Sequence, residues 1–382
     1  MVPKTRRRVF FLAFFFAFFL GRLAAAGAAT PGWSLLDEVY DLAEKNYPGF
    51  LDREALEAGA VRGLVDSLGD PYGEYIAPGD LPFFTSSLNE EYTGVGVVFQ
   101  EVEGQIVLKE IVPGSPAARA GVKPGSVLVA VDGRPVTGLS LEEIGRLLEG
   151  TAGTYVEMTV TLPGSSARRS YYLRREVIRP PVTGVHLFAG QVGYLYLRSF
   201  PYWAPEEMEA ALAWLEDRGA RGLILDLRGN PGGYLDAALE TASLFLLPGK
   251  PVVQLLGRDN KVTLLQSRGP GQDLPVVILV DRDTASAAEV LAGALQANHA
   301  ALLIGTRTYG KGAVQTIFNL SNGGALKLTT AYFLTPGGRA IDGEGLKPDI
   351  EVAGRQEQLD RALQVLRAQI APSLVAAVPA GK

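Results

Sequence analysis

Lys311 is a side chain whose surroundings in the sequence suggest a chemical role. It lies in GTRTYGKGAVQT, residues 305–316, directly after an apolar run. The spacing G-x-x-x-x-G-K is that of the phosphate-binding loop, except that Gly312 stands where that loop has the Ser or Thr that binds Mg²⁺. Lys311 therefore has two interpretations at this point: it binds a nucleotide phosphate, or it has another task.

Ser286 is a candidate nucleophile because of its position in the chain. The run VDRDTASAAE, residues 280–289, joins an apolar strand through a short polar turn to a helix predicted to begin at Ser286. Backbone N–H groups at a helix start are unpaired and the helix dipole is positive there, so a negative oxygen is stabilised. The alternative is that Ser286 or Thr284 only caps the helix.

A serine nucleophile needs a base, and the sequence has only two histidines. His299 lies past the far end of the same helix, roughly 20 Å from Ser286 at a rise of about 1.5 Å per residue. His186 falls in a predicted linker, residues 181–190, with no acidic residue close by in sequence. A trypsin-like Ser-His-Asp protease is therefore excluded, and Lys311 remains as the candidate base.

A lysine acts as a base only when it is neutral, and the pKa of a free lysine is about 10.4. Burial or a nearby positive charge must lower that pKa. Lys311 is set among glycine and apolar residues with no carboxylate close in sequence, which favours desolvation over ion pairing. The alternative is an ordinary surface lysine in a loop.

A third motif, LDLRGNPGG at residues 225–233, ends a predicted buried strand with a sharp turn. Glycines in such a turn let backbone N–H groups point into a site, as an oxyanion hole requires. The alternative is a turn whose glycines only permit a positive φ.

The composition of the 382-residue chain narrows the classes of site. The absence of cysteine excludes thiol catalysis, disulfides and thiolate metal sites, and two histidines make a histidine-rich metal site implausible. We therefore predict no metal and no cofactor. The net charge of −5, without a basic block, argues against nucleic-acid binding.

Residues 1–29 have the pattern of a signal peptide or membrane anchor. Basic residues precede the apolar run Val9–Leu20, and small residues follow at Ala24–Ala29. If the segment stays uncleaved, residues 9–20 would attach the chain to a membrane. In both cases the rest of the chain is predicted to be extracytoplasmic, in the periplasm or cell envelope.

The rest of the chain divides into four predicted regions. Helical patterns fill residues 30–85, short strands fill 86–178, strands alternating with helices fill 179–352, and a helix with a tail fills 353–382. Buried apolar strands that alternate with helices indicate an α/β fold. Apolar faces in the helical region and on the last helix leave a homodimer open without establishing one.

Residues 86–178 resemble a PDZ domain, on the phrase SPAARAGVKPGSVLVAVDGRPV at Ser115–Val136. Ser126 departs from the Asp that is usual in that phrase. The resemblance implies a glycine loop whose N–H groups bind the terminal carboxylate of a peptide, which then adds to the sheet as a strand. The alternative is that the glycines serve only a tight turn. The loop consists of Thr93, Gly94, Val95 and Gly96.

The three motifs together resemble the C-terminal (tail-specific) processing peptidases, PDZ-containing Ser-Lys serine proteases. DLRGNPGG, TASAAE, GKGxxQ and the closing GEGLKPD match that family, with Lys311 placed 25 positions after Ser286. The resemblance covers nearly the whole chain after the signal. It implies an α/β protease core with an inserted PDZ domain and a small N-terminal helical region. The implied roles are Ser286 as nucleophile, Lys311 as general base, Gln315 as the residue that orients Lys311, and the N–H groups of Gly232 and Ala287 as the oxyanion hole.

Two points of this assignment depend on geometry. In a straight strand Lys311 and Gln315 would lie about 13 Å apart, so their hydrogen bond needs the chain to curl, which Gly312 permits. The family often has Asp-Pro-His-Ser where this chain has Gly69-Asp70-Pro71-Tyr72. We place that segment in the helical region, so the departure does not threaten the catalytic assignment.

The leading hypothesis is an exported serine endopeptidase that binds the free C-terminal tail of a partly unfolded protein and cleaves it through an acyl-enzyme. One alternative is a PDZ scaffold or chaperone with an inert core, which the intact Ser, Lys and Gln argue against. The other is a nucleotide-dependent enzyme that uses Lys311.

Overall fold

The computed structural model describes residues 34–375. The described residues form two compact units, which divide between Gly59 and Ala60. The predicted signal, residues 1–29, lies outside the described residues. Within the described part, no helix is long and apolar enough to cross a membrane.

The helices are distributed along the whole described chain. They are α1 (Ser34–Asn46), α2 (Arg53–Asp66), α3 (Leu81–Asn89), α4 (Pro116–Arg119), α5 (Leu141–Leu148), α6 (Ala204–Asp217), α7 (Leu235–Phe245), α8 (Ala287–Ala297) and α9 (Arg355–Val375).

The α/β region is built on a six-stranded sheet. Its strands, in spatial order, are β10 (Thr183–Phe188), β11 (Val192–Leu197), β12 (Gly222–Asp226), β15 (Val276–Val280), β16 (Ala301–Gly305) and β19 (Ile350–Glu351). The sheet is parallel from β11 to β19, and β10 is antiparallel at its edge. Every residue of β12 and β15 is buried, as expected where helices cover both faces of a parallel sheet.

Alternate residues of these strands pack against two different layers of helices. Leu225 and Ile278 belong to a core with α6, α7 and α8, whereas Ile224 and Val277 pack with Leu366 of α9. Because β12, β15 and β16 are parallel neighbours, their carboxyl ends lie side by side at one edge of the sheet. The loops that carry the three sequence motifs all leave the sheet at this edge.

A second, antiparallel sheet lies in the same unit. Its strands are β1 (Glu74–Ile76), β18 (Ala325–Leu334), β13 (Pro251–Gly257) and β14 (Val262–Gln266), with β17 (Ala313–Asn319) paired to β18. Strand β17 begins just after the loop of Lys311 and carries Gln315. This sheet therefore supports the lysine loop.

The PDZ-like region has a sheet and a hydrophobic core of its own. The sheet contains β3 (Val97–Val102), β4 (Gln105–Ile111), β5 (Val127–Val131), β7 (Tyr155–Thr161) and β8 (Arg168–Arg174), with β6 (Arg134–Pro135) paired to β5. Strands β2 (Tyr92–Gly94) and β9 (Glu176–Ile178) pair where the chain enters and leaves this region.

The predicted fold class is confirmed: an α/β core, a PDZ-like region and an N-terminal helical region are all present. The linker predicted at residues 181–190 is wrong, because His186 lies on β10, paired with β11. Helix α3 and strands β1, β13 and β14 were not predicted, since short, partly exposed elements carry little periodicity.

Candidate active site

The loop after β12 starts from a buried ion pair. Asp226 and Arg228 are 1% and 5% exposed, and Arg228 Nη2 lies 2.5 Å from Asp226 Oδ2. The same guanidinium donates to the carbonyl of Arg355 at 2.6 Å, at the start of α9. The end of β12 is therefore bonded to α9, which fixes the position from which the glycine turn starts.

Asn230 shapes the turn and joins it to the serine segment. Its side chain is fully buried, and its Oδ1 accepts the N–H of Gly232 at 2.9 Å. Its own carbonyl accepts the N–H of Ala285 at 2.9 Å. The glycine turn is thereby bonded to the residue that precedes Ser286.

Gly232 lies directly against Ser286. Its φ is +99°, and a Cβ at this position would come within 2.8 Å of Ser286 Cβ and 2.9 Å of Ala287 N. Only glycine fits here, for reasons of both space and backbone conformation. The structure thus brings three of the predicted site residues together: Gly232, Ser286 and Ala287.

The two predicted oxyanion donors differ in their present partners. The N–H of Ala287 has no backbone or side-chain acceptor among residues 34–375. The N–H of Gly232 is engaged by Asn230. One donor is therefore free in this conformation and the other is not.

Ser286 has a strained backbone at the start of α8. Its φ of 54° and ψ of −119° are rare for a residue with a side chain. The helix begins at Ala287, one residue later than predicted, and Ser286 is its N-cap. Strain of this kind persists only where neighbouring bonds enforce it, and it occurs most often at functional sites.

Glu289 joins the serine turn to the lysine loop. It is fully buried on α8, and its Oε2 accepts the N–H groups of Ser286 at 2.9 Å and Lys311 at 3.0 Å. Its Oε1 accepts the N–H of Gly310 at 2.8 Å and the hydroxyl of Thr308 at 2.5 Å. A single carboxylate thus holds two segments that are distant in the sequence.

The role of Glu289 was not predicted, although the sequence contained a signal for it. Ser and Glu three positions apart at a helix start form the capping-box pattern. Burial raises the pKa of Glu289, whereas the four donors stabilise its charged form.

Lys311 is half-buried in the loop between β16 and β17. Burial lowers the pKa of Lys311, and the positive charge of Lys327 lowers it further. Its Nζ lies 4.9 Å from the centre of the Tyr72 ring and makes no hydrogen bond within the described chain. The structure brings the Lys311 and Ser286 backbones to one carboxylate, but no hydrogen bond joins their side chains in this conformation.

Gln315 lies on β17, next to a register shift between Val314 and Gln315. Its Nε2 donates to Thr329 Oγ1 at 3.4 Å, across the β17–β18 pair, and not to Lys311. The residues after Lys311 form a strand, whereas a phosphate-binding loop continues into a helix. The structure therefore gives no support to the nucleotide interpretation.

The segment Gly69–Tyr72, predicted to lie in the helical region, forms a turn between α2 and β1 and contacts the candidate site. Tyr72 contacts Lys311, and Asp70 Oδ2 accepts the N–H of Thr329 at 2.8 Å. No local pattern could reveal this, because the contacts join the first part of the chain to the last.

The PDZ-like region has a groove between β3 and α5. Its volume is about 300 Å³. Three of the four predicted loop residues line it. Thr93, which pairs with Val177 in the two-stranded sheet, does not. The lining residues used below are Gly94, Val95, Gly96, Gly145 and Leu148.

The loop of this groove has unpaired backbone donors. Gly96 has a φ of +80°, and a Cβ there would lie 2.1 Å from Ser115 Cβ. The N–H groups of Val95 and Gly96 have no acceptor among the residues described. Adjacent free N–H groups at one end of an apolar groove suit a carboxylate.

Comparison with known proteins relates these regions to three families. Peptidase family S41 matches residues 191–352, the PDZ domain matches residues 107–161, and the activating protease CtpB N-terminal domain matches residues 24–78. The first match contains all three motifs of the candidate site.

Individual relatives agree with these matches. The carboxy-terminal processing protease CtpA of Bacillus subtilis is 32% identical over 317 residues, which are 83% of this chain and 68% of the relative. A probable CtpA-like serine protease of Staphylococcus epidermidis is 34% identical over 322 residues, or 83% of this chain and 65% of the relative. The chain thus spans about two thirds of the length of these relatives.

A solved structure is similar over most of its length. The photosystem II D1 C-terminal processing protease aligns at 30% identity with a TM-score of 0.52, covering 86% of this chain and 90% of that one.

Proposed function

Because the chain belongs to the C-terminal processing proteases of peptidase family S41, we propose that it is a serine endopeptidase with a Ser286–Lys311 dyad. The observation that carries the proposal is the pair of hydrogen bonds from the Ser286 and Lys311 N–H groups to one oxygen of Glu289. These bonds bring the two backbone segments to one carboxylate, which supports a shared site for the proposed nucleophile and base. The lowered pKa of Lys311 suits a lysine that must be neutral.

In the proposed reaction, neutral Lys311 takes the proton of Ser286 Oγ as that oxygen attacks the scissile carbonyl carbon. The N–H groups of Gly232 and Ala287 bind the oxyanion. The leaving amine takes the proton from Lys311, and an ester joins the substrate to Ser286. Water then gives a proton to Lys311 and attacks the ester, and the proton returns to Ser286 as the new carboxyl end departs.

We interpret the described conformation as a resting state of this proposed mechanism. The Lys311 ammonium lies on the Tyr72 ring, Gly232 N–H is bonded to Asn230, and Gln315 is bonded to Thr329. Catalysis needs the Lys311 side chain to turn toward Ser286 and the Gly232 N–H to leave Asn230. These are side-chain and glycine-peptide rotations, which need no change of fold.

We further propose that the PDZ-like groove binds the free C-terminal tail of the substrate. The unpaired N–H groups of Val95 and Gly96 would bind the carboxylate, and the tail would add to β3 as a strand. Amidation of the substrate's C-terminus should then raise KM, because the carboxylate charge is lost.

We also propose export, attachment to a membrane if the signal stays uncleaved, and dimerisation. Residues 1–29 have the pattern of a signal peptide, and residues 9–20 would act as a membrane anchor if that signal were not cleaved. Within the first unit, α1 exposes Leu35 and Val39, an apolar face that a second copy could cover. Fractionation of cells with N-terminal sequencing, and light scattering of the purified protein, would test these points.

The central test of activity compares the wild type with Ser286→Ala on an unfolded protein substrate. Mass spectrometry of the products should show new carboxyl ends for the wild type and none for the variant. Equal cleavage by both proteins would refute the proposal. An inert PDZ scaffold would instead give no cleavage by either protein while still binding tails.

A further inference from the structure

The turn Gly69–Gly73 lies against the segment that carries the proposed base. Lys311 Nζ is 4.9 Å from the centre of the Tyr72 ring. An ammonium over an aromatic face is attracted by the negative face of the ring, whether or not the ring carries a hydroxyl. Tyr72 is the one partner that the described chain offers to the Lys311 ammonium.

Asp70 fixes the position of this turn. Its Oδ1 accepts the N–H of Tyr72 at 3.0 Å and the hydroxyl of Thr329 at 2.9 Å, and its Oδ2 accepts the N–H of Thr329 at 2.8 Å. The chain then enters β1, whose Glu74 pairs with Lys327 of β18. The ring is therefore anchored on both sides to the sheet that supports the lysine loop.

The same turn reaches a second proposed catalytic residue. Thr329, which Asp70 holds, accepts the Gln315 amide at 3.4 Å. One turn thus touches Lys311 through an aromatic ring and Gln315 through Thr329. Nothing in the proposed chemistry requires this turn, so its convergence on both residues needs its own explanation.

We propose that Tyr72 is a positioning residue that holds the side chain of Lys311 in the resting enzyme and controls the pH at which it becomes a base. This inference rests on the proposed function. The Tyr72 ring would act on the pKa of Lys311 in two opposing ways. The face of the ring stabilises the ammonium and raises the pKa, whereas the bulk of the ring keeps water from Nζ and lowers it. Lys311 leaves the ring when it turns to Ser286.

Several other charged or titratable groups face Lys311 or Tyr72. Lys327 of β18 lowers the pKa of Lys311, and burial is the larger cause of that lowering. Burial raises the pKa of Tyr72, and nearby acidic groups raise it further. The groups to consider are Lys327, Glu289, Asp70, Asp342, Tyr309 and Tyr332.

The two actions of the ring can be separated with three variants. Tyr72→Phe keeps both the face and the bulk, so the pH profile should match the wild type. Tyr72→Leu removes the aromatic face and keeps a branched apolar side chain that still limits water, so the midpoint should fall by about half a pH unit. Tyr72→Ala removes both and admits water, so the midpoint should rise toward that of an ordinary lysine.

The direct measurement is the pH dependence of Lys311 labelling by an amine-reactive reagent, read by mass spectrometry in a Ser286→Ala background. This readout needs no protease activity, so it can fail or succeed independently of the proposed function. The pH dependence of kcat/KM in the active background should shift in the same direction. Tyr172→Leu is the matched control, because Tyr172 is exposed on β8 of the PDZ-like sheet, is not among the groups that face Lys311 or Tyr72, and should leave the midpoint unchanged.

The proposal predicts that the pH midpoint of Lys311 labelling is lowest in Tyr72→Leu, equal in Tyr72→Phe and the wild type, and highest in Tyr72→Ala. It is overturned if Phe, Leu and Ala all keep the wild-type Lys311 midpoint, whatever their effect on rate, because Tyr72 would then be only a structural residue. If Tyr72→Ala fails to fold, the Phe and Leu variants decide the question, since both keep an apolar side chain at this position and differ in the aromatic face.

Discussion

At the scale of the residue, Lys311 determines how the site behaves with pH. It is half-buried with Lys327 nearby, and no carboxylate of the described chain is bonded to its Nζ. The lowered pKa makes the neutral form accessible at pH values where a surface lysine would stay charged. We expect kcat/KM to rise with pH, and the midpoint of that rise to lie below about 10.4, the pKa of a free lysine.

Lys327→Met should move that midpoint upward by less than about one pH unit, because a like charge near Lys311 is removed. The pH profile of kcat/KM is the measurement. Lys347→Met, which alters an exposed lysine paired with Glu351, is the control. A downward shift in Lys327→Met would contradict the cause assigned to the lowered pKa.

Lys311→Met should abolish activity and raise the thermal stability. The folded pKa of Lys311 lies below its unfolded value, so folding is penalised while the group is charged in the unfolded state. The penalty is full below the folded pKa and disappears as pH rises through about 10.4. Calorimetry should show a Tm increase near pH 7 that shrinks toward pH 10. A lower Tm at neutral pH would show that Lys311 is a stabilising residue.

Glu289→Gln should reduce kcat by about 100-fold or more, because an amide presents a donor where backbone N–H groups need an acceptor. Steady-state kinetics with a folded variant, checked by circular dichroism, measures the effect. Glu357→Gln on α9 is a control of the same chemistry. Wild-type kcat in Glu289→Gln would mean that the carboxylate bridge does not align the site.

At the scale of the element, three neighbouring parallel strands explain why the motifs meet. β12, β15 and β16 end at one edge of the sheet, and their loops carry Gly232, Ser286 and Lys311. This much followed from the sequence, because buried apolar strands and helix starts have strong local patterns. The Tyr72–Lys311 contact and the second sheet did not follow, since short strands and long-range pairing leave no periodic signal.

The glycine turn after β12 offers a matched pair of substitutions. Gly232→Ala should lower kcat by about 100-fold or more, because its Cβ would strike Ser286 and displace an oxyanion donor. Gly229→Ala also has a positive φ but meets nothing within 4 Å, so it should cost only stability, about 1 kcal/mol. Equal kcat losses in the two variants would show that strain alone explains the effect.

At the scale of the whole molecule, the PDZ-like region and the α/β region have separate hydrophobic cores. Binding of a tail and cleavage of the chain can therefore be altered separately. Gly145 lines the groove, and a Cβ there would meet nothing within 4 Å, so a larger side chain would fill the groove without disturbing the core.

Gly145→Leu should raise KM for a substrate with a free C-terminus by about 10-fold and leave kcat nearly unchanged. The control is Arg146→Leu, on the exposed side of the same helix. An unchanged KM in Gly145→Leu would place tail recognition elsewhere.

The most direct test of the central claim is covalent labelling of Ser286 by a fluorophosphonate, followed by peptide mapping over a range of pH. The Ser286–Lys311 dyad predicts one adduct, on Ser286. The labelling rate should rise with pH, with its midpoint at the pKa of Lys311, and Lys311→Met should abolish labelling. An adduct on another serine, or an equal labelling rate in Lys311→Met, would contradict the dyad.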